Sequence, residues 1–98
     1  MDDLILAIDL GTSGPKVALV TPQGHVQACE IGETGVTILP GGGAEQNPDD
    51  WWQAIKTTTQ RLLANSGVPP EKITAVGCTA QWSGTVAVAE NGRHLMNA

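Results

Sequence analysis

Asp9 closes an apolar run, Leu4-Ile5-Leu6-Ala7-Ile8, and is followed at once by Leu10-Gly11-Thr12-Ser13-Gly14-Pro15-Lys16. A carboxylate at the end of a buried strand is costly unless something pairs with it. The turn behind it offers two small hydroxyls, two glycines that permit close backbone approach, and a lysine. Such parts, in that order, could hold a phosphate chain and its metal ion. The chemistry they point to is nucleotide-dependent phosphoryl transfer. Taken alone, Asp9 also fits a turn-forming aspartate at a strand end, and Lys16 fits a solvated strand residue.

The elements that would position these residues can be read from punctuation and period. Residues 4–10, apolar apart from Asp9, predict a strand covered on both faces. Residues 15–21 predict a second strand, and Pro22-Gln23-Gly24 turns the chain into a third, from His25 to about Ile31. Residues 32–46, rich in Gly and Thr around Gly41-Gly42-Gly43, read as a loop. A helix then starts with Asn47 as N-cap, Pro48 at the first helical position, and Asp49 and Asp50 at the positive end of the dipole. Trp51, Ile55, Thr58 and Leu62 form its apolar stripe, widened by Ala54 and Leu63. Asn65-Ser66-Gly67 ends it, and Pro69-Pro70 blocks continuation. Residues 73–79 (Ile73-Thr74-Ala75-Val76-Gly77-Cys78-Thr79) predict a buried strand. Residues 85–89 predict a strand entering a C-terminal hairpin, with Asn91-Gly92 suited to a type I′ turn.

A strand-helix-strand crossover is right-handed and makes its strands parallel. Laying the 73–79 strand beside the first gives a mixed α/β sheet of spatial order 3-2-1-4. Asp9 then lies near Thr79, Gln81 and Trp82, at the edge where open α/β sheets bind ligands.

Composition narrows the field. Ninety-eight residues make one domain at most, too few for two lobes with a cleft between them. Five basic against ten acidic residues give a net charge of −5, which argues against nucleic acid or an anionic membrane as partner. No apolar run approaches the ~20 residues of a membrane span, and the acidic start Met1-Asp2-Asp3 is unlike a secretory signal. Cys29 and Cys78, far apart in apolar strand-like segments, read as reduced core thiols of a cytoplasmic protein. His25 and His94 lack metal-ligand spacing and are expected in exposed turns. No Walker pattern or Gly-x-Gly-x-x-Gly occurs.

Three segments, in order, resemble the FGGY family of carbohydrate kinases. Asp9-Leu10-Gly11-Thr12-Ser13-Gly14-Pro15-Lys16 is similar to the family's first phosphate motif. Ala44-Glu45-Gln46-Asn47-Pro48-Asp49-Asp50-Trp51-Trp52 is similar to its Glu-Gln-Asp-Pro…Trp-Trp segment, especially that of xylulokinases. Cys78-Thr79-Ala80-Gln81-Trp82-Ser83-Gly84 is similar to the Gly-x-x-Gln-x-x-Gly stretch that lines the sugar pocket. The resemblance implies a ribonuclease-H-like (actin-like ATPase) domain, here only its N-terminal portion over residues 1–98. It implies ATP and Mg²⁺ as cofactors and a ketopentose or related polyol as substrate. Carried onto matching positions, Asp9 would hold Mg²⁺, Gly11, Thr12, Ser13 and Lys16 would meet the ATP phosphates, and Gln81, Trp82 and Ser83 would face the sugar.

Two departures from the family pattern matter. Xylulokinases usually carry Met-His where this chain has Trp82-Ser83, and Pro15 is unusual at its place. The family's catalytic aspartate and adenosine site have no counterpart in these residues, so the chain is expected to be inactive alone. Trp51 is expected to anchor the core. Trp52, with Glu45 and Gln46, either shapes the sugar-side loop or does not, and Trp82 is expected to wall the pocket. A rival reading is a non-catalytic module stable only beside another chain, because strand 73–79 would be an unprotected edge prone to self-association. An actin- or Hsp70-like ATPase would share the first motif but leaves the other two without a purpose.

Overall fold

The computed structural model describes residues 3–98. Three antiparallel strands open it: β1 (Leu4–Gly11), β2 (Gly14–Val20) and β3 (Val26–Ile31). A two-stranded ribbon, β4 (Thr37–Ile38) with β5 (Ala44–Glu45), occupies the stretch expected to be loop. Helix α1 (Pro48–Ser66) and a single 3₁₀ turn (Pro70–Lys72) lead to β6 (Ile73–Ala80), parallel to β1. The main sheet runs β3-β2-β1-β6. This is the expected 3-2-1-4 order, with the ribbon supplying two extra numbers.

Helix α1 begins and ends as its sequence dictates. The Asn47 side-chain oxygen accepts the Asp49 amide at 2.9 Å, and Pro48 needs no partner for a missing N–H. At the other end Gly67 adopts φ 70° and donates its N–H to the Leu63 carbonyl. The helix seats Thr58 and Leu62 on the sheet, where Leu4, Leu6, Val17 and Leu19 complete the core. Burying each such leucine stabilises the fold by roughly 1.5–3 kcal/mol.

Several expectations about burial fail for two reasons: α1 covers one face of the sheet only, and on that face it lies chiefly over β2 and β3, not over β6. In β1 only the helix-side residues Leu4, Leu6 and Leu10 are buried, while Ile5 and Ala7 are half-buried and Asp9 is exposed. The first strand is therefore covered on one face, not two. Strand β6 is not buried either, since Ile73 alone is partly covered and the other seven residues are exposed. Cys29 and Cys78 are free but exposed, not core thiols. No helix is long and apolar enough to cross a membrane among the described residues.

The C-terminal hairpin is reduced to a single bridge, Val88 with His94. Its turn is not type I′. Gly92 donates to the Ala89 carbonyl and Ala89 donates to Arg93, which makes a three-residue loop. Gly92 has φ 87° while Asn91 does not have positive φ, so the left-handed residue follows the turn instead of forming it. His94 is half-buried beside Asp49, 3.7 Å away, whereas His25 is exposed as expected.

Candidate phosphate and sugar site

Register alone brings the charged residues together. Asp9 pairs across β1–β2 with Lys16 and across β1–β6 with Thr79. All three lie on the sheet face that the helix leaves bare, and Asp9 and Lys16 are exposed. Beyond Asp9 the chain turns through Gly11–Gly14, and a second layer of backbone holds that turn. Gly32 donates to the Pro15 carbonyl at 2.8 Å, and Thr34 donates to the Ser13 carbonyl at 3.0 Å.

The approach is so close that Gly14, at φ 140°, has no room for a side chain: a Cβ would overlap the Gly32 carbonyl. Pro15 fits this setting. It is fully buried as the second residue of β2, where the ladder begins, and its ring packs beside Gly32.

Gln46 ties this turn to the other half of the site. It is 8 % exposed and sits just before the helix cap. Its Nε2 donates to the Thr12 carbonyl (2.9 Å) and to the Gly35 carbonyl (3.1 Å). Its Oε1 accepts from Gln81 Nε2 (2.9 Å) and from the Trp51 indole (3.3 Å). Two donors and two acceptor sites are thus all used. Gln81 in turn accepts the Thr12 hydroxyl on its Oε1 at 2.6 Å, and its backbone N–H donates to the Leu10 carbonyl at 2.9 Å.

An open cavity of about 350 Å³ adjoins this network, lined among others by Thr12, Gln46, Gln81, Trp82, Ser83 and Asn97. The chain end closes one side of it: Ala98 exchanges both backbone hydrogen bonds with Gln46, and Asn97 donates to Glu45. Ser83 takes φ 59°, uncommon for a residue with a Cβ, so the corner after β6 is tightly turned.

The structure thus gathers the expected residues into two adjoining groups. Asp9, Gly11, Thr12, Ser13 and Lys16 surround the β1–β2 turn, and Gln81, Trp82 and Ser83 follow β6. Two details differ from expectation, those of Trp82 and Trp51, and the position of Trp52, left open by the sequence, is a third. Trp82 is 93 % exposed, so it stands at the cavity rim instead of walling it. Trp51 is half-buried and bonded to Gln46, more a brace for the site than a core anchor. Trp52 is on the far side: it lines an apolar groove with Leu6, Ile8, Ile55 and Val76, under the Lys56 ammonium 5.6 Å from its ring. Glu45 and Gln46 therefore line the cavity beside Gln81, without Trp52. The central position of Gln46 was not visible in the chain, because its four partners come from four separate segments.

The donor set suits a hard cation held chiefly by other ligands. Among the described residues no three His, Cys, Asp or Glu side chains gather around one point. Asp9 brings one carboxylate to this turn, which fits Mg²⁺, an ion that keeps waters and binds through one or two carboxylates plus phosphate oxygens. The Thr12 hydroxyl has its single proton committed to Gln81, so it presents lone pairs outward. A phosphate oxygen at Thr12 must then use the backbone N–H, or draw the hydroxyl away from Gln81.

Comparison with known proteins agrees over nearly the whole chain. The model of the FGGY family of carbohydrate kinases, N-terminal domain, matches residues 4–98. The xylulose kinase of Bacillus subtilis is 32% identical over 94 residues, covering 96% of this chain and 19% of its own length. That of Escherichia coli is 32% identical, over 97% of this chain and 19% of its own. Among solved structures, a xylulose kinase from Brucella ovis superposes with TM-score 0.85 at 30% identity, covering 96% of this chain and 19% of that one. A gluconate kinase from Lactobacillus acidophilus shares the fold at TM-score 0.84 and 21% identity, over 99% and 19% respectively. This chain therefore spans about a fifth of the length of the relatives it matches.

Proposed function

This chain belongs to the FGGY family of carbohydrate kinases, and we propose that it supplies the phosphate-binding turn and one sugar-facing corner of an ATP-dependent sugar kinase. The observation that carries this reading is one contact, the Thr12 hydroxyl on Gln81 Oε1 at 2.6 Å. It joins a turn chemically suited to phosphate with a cavity of sugar size. The parent reaction moves the γ-phosphoryl group of MgATP to a hydroxyl of a ketopentose such as xylulose, or of a related polyol. Relatives named xylulose kinase and glycerol kinase support that substrate class.

In this reading Asp9 holds Mg²⁺, directly or through water. The ion, when bound, neutralises charge on the phosphate oxygens. Gly11, Thr12 and Ser13 offer backbone to the phosphates, and Lys16, across the strand pair from Asp9, adds positive charge. Gln81 has one N–H and one lone pair left for a sugar hydroxyl, and Trp82 and Ser83 border the same cavity. Catalysis by such parts is positioning and charge stabilisation. None of them is a general base for the sugar hydroxyl, a group worth about 10²–10⁴-fold. The 98 residues alone are therefore inactive, and the protein acts in the cytoplasm, where the nucleotide and sugar occur.

Titration of the ¹⁵N-labelled chain with MgATP tests the site. Shifts should concentrate on Gly11–Lys16, and a null response there, or one centred on the helix, refutes the assignment. A coupled assay tests the inactivity: sugar-dependent ADP release near ordinary kinase rates would overturn it.

One observation favours a second reading, a module that works by pairing with another chain. Strand β6 carries no charge or proline and exposes seven of its eight residues. Self-association through that edge follows, and sedimentation as a concentration-independent monomer would dismiss it.

A further inference from the structure

Resting on the reading of the two half-sites above, we propose that Gln46 is a positioning residue that couples the sugar-side corner to the phosphate turn. The argument starts from its saturated amide. With both N–H groups on the Thr12 and Gly35 carbonyls, its Oε1 can only accept, and that orients the Gln81 amide with Nε2 toward Gln46. Gln81 Oε1 is thereby turned to the Thr12 hydroxyl. Flipping the Gln81 amide would set Oε1 against Oε1, and would face the Thr12 hydroxyl with an amide N–H in place of an acceptor.

The consequence is a linkage. Thr12 touches Gln46 through its carbonyl and Gln81 through its hydroxyl, so Thr12, Gln81 and Gln46 close a ring of three bonds. A ligand that draws the Thr12 hydroxyl toward phosphate frees the Gln81 acceptor for a sugar hydroxyl. A sugar that takes Gln81 frees the Thr12 proton for phosphate. Each half-site thus alters the hydrogen-bonding capacity of the other, and the coupling is reciprocal. Trp51 reports on it, because its indole shares the Gln46 oxygen with Gln81 but does not border the cavity.

The test uses the indole N–H resonances of the labelled chain, with Trp52 as a control outside the ring. Thr12→Val removes the hydroxyl and should move the Trp51 resonance, two residues away along the bonds, while Trp52 stays in place. In a Gln46→Met background the same Thr12→Val change should leave Trp51 unmoved. Gln46→Glu keeps the oxygen that Gln81 and Trp51 share but sets its second oxygen against the Thr12 and Gly35 carbonyls, so it too should lose the Trp51 response. An unmoved Trp52 in both backgrounds guards against a merely structural effect. An unmoved Trp51 in Thr12→Val, or an equal movement without the Gln46 amide, overturns the proposal.

A second arm adds D-xylulose to the unmodified chain. Gln81 side-chain and Trp51 signals should shift together, and a Gln81 shift without one at Trp51 refutes the coupling. No response at Gln81 would count against the sugar-site reading itself, while the substitution arm still decides the coupling.

Discussion

Replacing Gly32 by alanine should destabilise the protein through a single, identifiable collision. Gly32 lies beneath the β1–β2 turn and donates its N–H to the Pro15 carbonyl. Its φ lies outside the left-handed region, so alanine meets no backbone penalty there. A Cβ, however, would overlap Thr58 Oγ1 and stand 3.2 Å and 3.4 Å from two ring carbons of Pro15. Neither neighbour moves easily, because Thr58 is 1 % exposed and the proline ring is rigid and buried. Overpacking of this kind costs about 1–3 kcal/mol. That is a large share of the ~5–15 kcal/mol by which domains are stable.

Thr58→Ala removes the overlapped oxygen. Gly32→Ala should therefore cost far less in that background, with a coupling of about 1–2 kcal/mol between the two sites. Urea denaturation followed by tryptophan fluorescence supplies all four corners of the cycle, with a constant slope if the unfolded state is unchanged. Additive costs would refute the steric account, as would a Gly32→Ala midpoint equal to that of the unmodified protein.

Three further outcomes follow. Leu62→Ala, at a side chain 1 % exposed between the helix and the sheet, should cost about 2–5 kcal/mol in the same denaturation assay; a loss under ~1 kcal/mol would deny its place in the core. Hydrogen bonds from Asn65 and Arg61 hold the Glu30 carboxyl below its ordinary value of 4.5, so its stabilising effect is present above that pH and fades as pH falls through the lowered value. A Glu30→Gln variant should thus be less stable than the parent at neutral pH and converge with it in acid, and a constant gap down to strong acid would contradict this. Cys29 and Cys78 should both react with a thiol reagent in the native state, and protection of either until unfolding would contradict their exposure.

Local structure was legible in this chain wherever short-range chemistry decides it. Asn47-Pro48 and Gly67 bracket the helix at the residues observed, and laying a parallel 73–79 strand beside the first put Asp9 near Thr79, which the register pairs directly. Burial was less legible. An apolar run such as residues 73–79 reads the same whether a helix covers it or not, and α1 happens to cover β2 and β3. Asn91-Gly92 misled for a related reason: the dipeptide fits two turn types, and where the left-handed residue falls depends on the strands around it. The three-segment pattern was enough to identify the family. It did not disclose that Thr12 and Gln81 bond directly, nor that Gln46 holds both, because those contacts span 34 to 69 residues of sequence.

The central claim is that Asp9, beside Thr79 at the mouth of the sheet, is where metal and phosphate meet this domain. Paramagnetic broadening by Mn²⁺ in the presence of ATP measures it directly. The amides of Asp9, Gly11, Thr12 and Thr79 should broaden first, and Asp9→Asn should abolish the effect while leaving the rest of the spectrum unchanged. Broadening that centres on other carboxylates, or that survives intact in Asp9→Asn, would contradict the account.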